Sequence, residues 1–155
     1  MTLSPRTLLL CAAIMAAACS EPAVREGFIG RESVDEAGRY SFAVEMKDSL
    51  ASYTLRFYTR ADCSGKDFYC TKDLGLDVLA VSPSGAEYSE RVYIGKSSFS
   101  SKFGMAYDCD VPYRTGFRPC EYGIWKICLN PVPGTGPAGL RGMGLSVSKD
   151  KDGKR

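Results

Sequence analysis

Asp108 and Asp110, two acids separated by a single residue, are the first place in this sequence to look for chemistry. Paired carboxylates can hydrolyse a glycosidic bond, one giving a proton while the other attacks or activates water. Surface stretches also carry acids simply to stay solvated, and that plainer reading stands beside the catalytic one. Two motif matches carry less. Ser146-Val-Ser-Lys149 spells S-x-x-K, which works on a helix, where residues three apart share a face; on a strand they point opposite ways. Gly134-Thr-Gly-Pro-Ala-Gly139 spells G-x-G-x-x-G, but Pro137 and the lack of a following helix remove the amide cradle a pyrophosphate needs. With no histidine in the chain, neither a Ser-His-Asp triad nor a Cys-His pair can be assembled. The expectation is a protein with no catalytic residues.

Seven cysteines are the other reactive groups. Cys11 lies inside an apolar run and Cys19 closes it, leaving Cys63, Cys70, Cys109, Cys120 and Cys128. In an oxidising compartment such thiols pair, although sequence alone does not fix the connectivity. Proximity favours Cys63–Cys70 and Cys109–Cys120 as candidate disulfides. Strand alternation points Cys128 outward, as a free thiol or as a partner on a neighbouring strand. The spacings are not those of a zinc site and no histidine assists, so neither a metal nor another cofactor is expected.

The run from Leu8 to Ala18, preceded by Arg6 and ending in three alanines before Cys19, decides the compartment. It is too short to span a bilayer, which takes roughly 20 apolar residues, and it has the form of a secretory signal. Small residues followed by Cys match a bacterial lipobox. That motif predicts cleavage after residue 18 and a diacylglycerol on Cys19, each buried methylene adding about 0.8 kcal/mol of membrane affinity. An ordinary signal peptide with an incidental Cys is the alternative. Ser20 lacks the Asp that retains some lipoproteins at the inner membrane, so the outer membrane is preferred. The near balance of charge, +2 overall, argues against nucleic acid as a partner.

The elements that must position these groups read as strands. Tyr40–Met46, Tyr53–Thr59, Leu74–Val81, Glu87–Ile94, Gly123–Leu129 and Leu140–Ser148 carry alternating or continuous apolar patterns bounded by turn residues. Glu26–Ile29 is a short edge candidate. The expected fold is all-β, a single sandwich of immunoglobulin-like or jelly-roll-like type. Its layout is a signal over 1–18, a lipidated tether over 19–38, the domain over 39–148 and a charged tail over 149–155. Arg60–Asp73 reads as a polar loop and Gly95–Tyr122 as a long irregular section. In that section Tyr107, Tyr113, Phe117 and Tyr122 are a candidate binding loop for a sugar or a protein, or else a hydrophobic plug on the sandwich.

Several stretches, in order, resemble the gliding motility lipoprotein GldH family. They are the lipobox, Tyr53–Arg60 entering a polar loop, and Leu74-Gly-Leu with its strand ending in Ser82-Pro83-Ser84-Gly85. Then come Val111-Pro112-Tyr113, Phe117 and Gly123-Ile-Trp125, and finally Gly139-Leu-Arg-Gly-Met-Gly-Leu-Ser-Val147. The extra cysteines, Leu140 and Met143 depart from that pattern. The resemblance implies a non-enzymatic lipoprotein of the diderm cell envelope, an accessory or scaffold for gliding or the secretion machinery linked to it. It carries over no catalytic residue. A surface glycan-binding module is the alternative function.

Overall fold

The structure is a computed structural model that describes residues 24–150. The expected signal, the lipidation site Cys19 and the chain beyond 150 lie outside the described residues. Among the described residues, nine strands form two antiparallel sheets packed face to face, an all-β sandwich. The five-stranded sheet runs β1 (Val24–Gly30), β9 (Leu140–Lys149), β3 (Tyr53–Asp62), β7 (Ala106–Phe117), β6 (Phe99–Lys102). The four-stranded sheet runs β2 (Tyr40–Met46), β8 (Gly123–Pro131), β4 (Leu74–Val81), β5 (Glu87–Ile94).

Period-two alternation does most of the work. In β2 it buries Tyr40, Phe42, Val44 and Met46, and in β3 Tyr53, Leu55 and Phe57. Trp125, Ile127 and Leu129 of β8 and Met143, Leu145 and Val147 of β9 enter the same buried core from the two sheets. Burying side chains of this size stabilises by roughly 1.5–3 kcal/mol each, which offsets the ordering of the chain.

Three stretches differ from expectation. Gly95–Tyr122 is mostly regular: β6 and β7 form a hairpin that turns through Phe103 (φ 44°) and Gly104 (φ 80°). Two residues with positive φ suit the twist of a tight hairpin. The ladder of β7 slips against Leu55 and Arg56 of β3 around Pro112–Arg114, where the proline nitrogen has no proton to donate. Arg60–Asp73 holds the end of β3 and a short helix, α1 (Gly65–Tyr69), capped by Ser64, whose Oγ accepts from the Asp67 amide at 3.1 Å. At the leading end the expected edge strand, Glu26–Ile29, is present within β1, which pairs with β9 from Val24 to Gly30. The tail also starts later than residue 149: Lys149 belongs to β9, and Asp150 accepts hydrogen bonds from Ser52 and Thr54.

Candidate functional site

The outer face of the five-stranded sheet holds the widest hollow among those described, an open depression of about 720 Å³. It starts from the composition of β9. Its inward residues are large (Met143, Leu145, Val147), while its outward ones are Gly142, Gly144 and Ser146. A strand stripped on one side leaves room for its neighbours' side chains. Phe28 of β1 and Tyr58 of β3 take that room, stacked with centroids 5.9 Å apart and planes 28° apart. The approach is close. A Cβ on Gly144 would sit 2.2 Å from the Tyr58 ring, and one on Gly142 would sit 2.8 Å from the Phe28 ring. Phe28 still leaves 47% of its surface to solvent.

Cross-strand register builds the rest. One row reads Phe28, Gly144, Tyr58, Asp110, and the next Gly30, Gly142, Arg60, Asp108, Ser100. Opposite charges therefore stand side by side on adjacent strands, the arrangement that favours pairing. Arg60 donates twice to Asp108 at 2.6 and 2.9 Å, Arg56 donates to Asp110 at 2.8 Å, and Arg141 holds Asp62 at 2.5 Å. Asp108 and Asp110 are thus brought to one face, but each is committed to an arginine. The Arg60 hydrogen bonds hold the Asp108 carboxyl below the usual aspartate range. That is the direction of a fixed anion and the reverse of what a proton donor needs.

Tyr107, Tyr113, Phe117 and Tyr122 do not form one binding loop. The first three lie on β7, and Tyr122 follows it. Tyr107 stacks on Phe68 of α1 at 3.9 Å, closing one end of the sandwich. Tyr113 is half-buried on Phe57 at 4.3 Å and donates its hydroxyl to Glu90; burial and that carboxylate together push its pKa up. Phe117 packs against the core and Tyr122 is exposed. Gly134–Gly139 is the connection into β9, with no helix after it. Ser146 and Lys149 lie on β9, where Lys149 pairs with Asp48 at 3.3 Å.

All five described cysteines are free thiols, which corrects the expected disulfides. Eight residues of extended β7 carry Cys109 away from the Cys120 end, on the order of 25 Å at the usual rise per residue. Helix α1 stands between Cys63 and Cys70, holding them roughly 10 Å apart by its own rise, beyond disulfide reach. Cys109 is buried between the sheets, which pushes its thiol up to about 11. Cys128 does lie on the outer face of its sheet by phase, yet it is buried there, 3.3 Å from the Ser41 hydroxyl. Among the described residues no group of three or more His, Cys, Asp or Glu could hold a metal.

Phe28, Tyr58 and the arginines were missed from sequence. Glycines at alternate positions, 142 and 144, inside an apolar strand were the signal, since they mark a close approach by something else. Comparison with family models, with curated proteins and with solved structures finds no match.

Proposed function

We propose that this chain is a non-enzymatic lipoprotein of the bacterial cell envelope, held in the membrane by a lipid on Cys19. In that reading it serves as an accessory or scaffold in a gliding- or secretion-related assembly, as its resemblance to the GldH family implies. The outer face of the five-stranded sheet is its contact surface for another envelope protein. What carries this reading is the pair of rings laid over Gly142 and Gly144, open to solvent and flanked by Arg–Asp pairs. Interfaces of this kind set aromatic and arginine anchors inside a polar rim. A surface saccharide module is the second reading, favoured by the stacked, solvent-open rings of Phe28 and Tyr58 beside directional hydrogen-bonding groups.

Two experiments test it. A photo-crosslinker replacing Tyr58 in living cells is expected to trap one stoichiometric envelope protein, and Arg60→Glu to abolish the adduct. Recovery of no protein, together with saccharide binding on an array that Tyr58→Ala removes, would replace the scaffold with the glycan module. Palmitate labelling lost in Cys19→Ser is the expected sign of the anchor. Retention of residues 1–18 in the purified protein would overturn both the anchor and the compartment.

A further inference from the structure

A second hollow, of about 250 Å³, lies between the sheets toward the end where β7 stops and β8 begins. Met46, Leu55, Val78, Phe117, Trp125 and Ile127 line it. Cores seldom leave gaps larger than a water molecule, so an apolar cleft of this size, open on one side, is a departure with room for an apolar chain. Where it meets solvent, the lining is polar and exposed: Arg114, Arg118, Cys120 and Tyr88. Arg114 binds Glu90 at 2.6 Å, and Glu90 also accepts the Tyr113 hydroxyl. Glu121, nearby in sequence, is taken up by Ser82 and Ser84 at 2.8 and 2.7 Å. Arg118 has no hydrogen bond or ion pair among the described residues. The lining of the mouth therefore holds two guanidinium groups against the Glu90 carboxylate; the Glu121 anion beside it is bound by neutral hydroxyls, and Arg118 is left as the cation without a partner among the described residues.

We propose that this cleft binds a single-chain amphiphile with an anionic head, a medium-chain carboxylate, with its chain between the sheets and its head on Arg118. Apolar walls with a few convergent polar groups are the usual form of a small-molecule site. At roughly 30 Å³ per non-hydrogen group, the volume share of a liquid water, the space takes on the order of eight carbons. It accepts one short chain and excludes a two-chain lipid. The site is separate from the sheet face assigned to the partner, so either can fail without the other.

Trp125 is the one tryptophan in the chain, and it lines the cleft, so its emission reports occupancy. The exported full chain carrying Cys19→Ser, which needs no detergent, is titrated with decanoate, decanol and decyltrimethylammonium. Decanoate is expected to shift Trp125 emission saturably. Decanol in the parent, and decanoate in Arg118→Glu, are expected to bind at least about tenfold more weakly, the loss of a charge-assisted hydrogen bond. Ala80→Phe, which fills the cleft, is expected to abolish the shift while circular dichroism stays that of the parent. Should that variant not fold, alkylation of Cys120 in the otherwise unchanged chain, followed by peptide mass spectrometry, replaces it: decanoate is expected to slow the reaction. Unchanged emission and unchanged Cys120 alkylation up to the solubility limit would overturn the site. Equal binding of decanol and decanoate would overturn the anionic head.

Discussion

Phe28 and Tyr58 lie over Gly142 and Gly144 on one outer face of the sandwich, while at the middle of the other face Cys128 sits buried beside Ser41. Each face has a small residue on a strand flanked by two others, Gly144 on β9 and Cys128 on β8, yet the two end differently. On the five-stranded sheet the vacated space is filled by rings that remain open to water. On the four-stranded sheet it is closed by a polar network. Asp35 accepts from the amides of Ala37 and Arg39, the Arg39 guanidinium and the Ser41 hydroxyl, and that hydroxyl in turn meets the Cys128 thiol. One face leaves a stacked ring pair open to water; the other satisfies its polar groups around Cys128, and its exposed apolar residues, Ile124 and Tyr93, stand apart from that network. Small outward residues therefore do not define a binding face. What the neighbouring strands place over them does.

The largest expected effect on this contrast comes from Gly144→Val. Its side chain must displace the Tyr58 ring, and overpacking of this kind costs about 2–3 kcal/mol. Urea unfolding measures the loss, and stability equal to the parent would mean the rings do not lie where described. Cys128→Ala is next, at about 1 kcal/mol for the sulfur it removes from a buried site. The matching kinetic check is thiol labelling of the native protein, in which Cys70 and Cys120 react quickly while Cys109 and Cys128 wait for unfolding.

Acid titrates both faces in the same direction. Asp35, through the Arg39 amide first, and Asp108, through Arg60 first, have carboxyl groups lowered from the ordinary 3.8. A lowered native pKa gives stability that is present above the unfolded value and lost as pH falls through the native one. Asp35→Asn and Asp108→Asn should therefore be less stable than the parent at pH 7 and converge with it below 3.8. The Asp35 variant is expected to show the larger gap, because that carboxylate holds four groups together. Arg60→Ala is the smallest change, since exposed ion pairs contribute little. Its thermal midpoint should stay near that of the parent, leaving loss of partner binding as its only clear effect.

The strands of the core were legible because alternation in β2, β3 and β8 is regular and its turns carry Pro and Gly. β7 was not. Asp108, Asp110, Pro112 and Gly116 are all poor strand residues, and they are tolerated because cross-strand arginines neutralise the acids while a slipped ladder absorbs the proline. Neither compensation is local in sequence. The disulfide expectation failed for the same reason: closeness along the chain became separation once the intervening residues proved to be strand and helix. The ring pair was hidden because Phe28 and Tyr58 are thirty positions apart and meet only across β9.

Strand β1 is hydrogen-bonded into its sheet only along β9, through seven antiparallel residue pairs from Val24 to Gly30. Tension arriving through the chain ahead of Val24 and directed along that strand would load this ladder in shear, all its hydrogen bonds sharing the strain, whereas a sideways pull would peel them one at a time. The domain thus has a strong axis and a weak one for bearing mechanical load. Which of them is used depends only on the angle at which the sandwich stands to whatever holds its leading end.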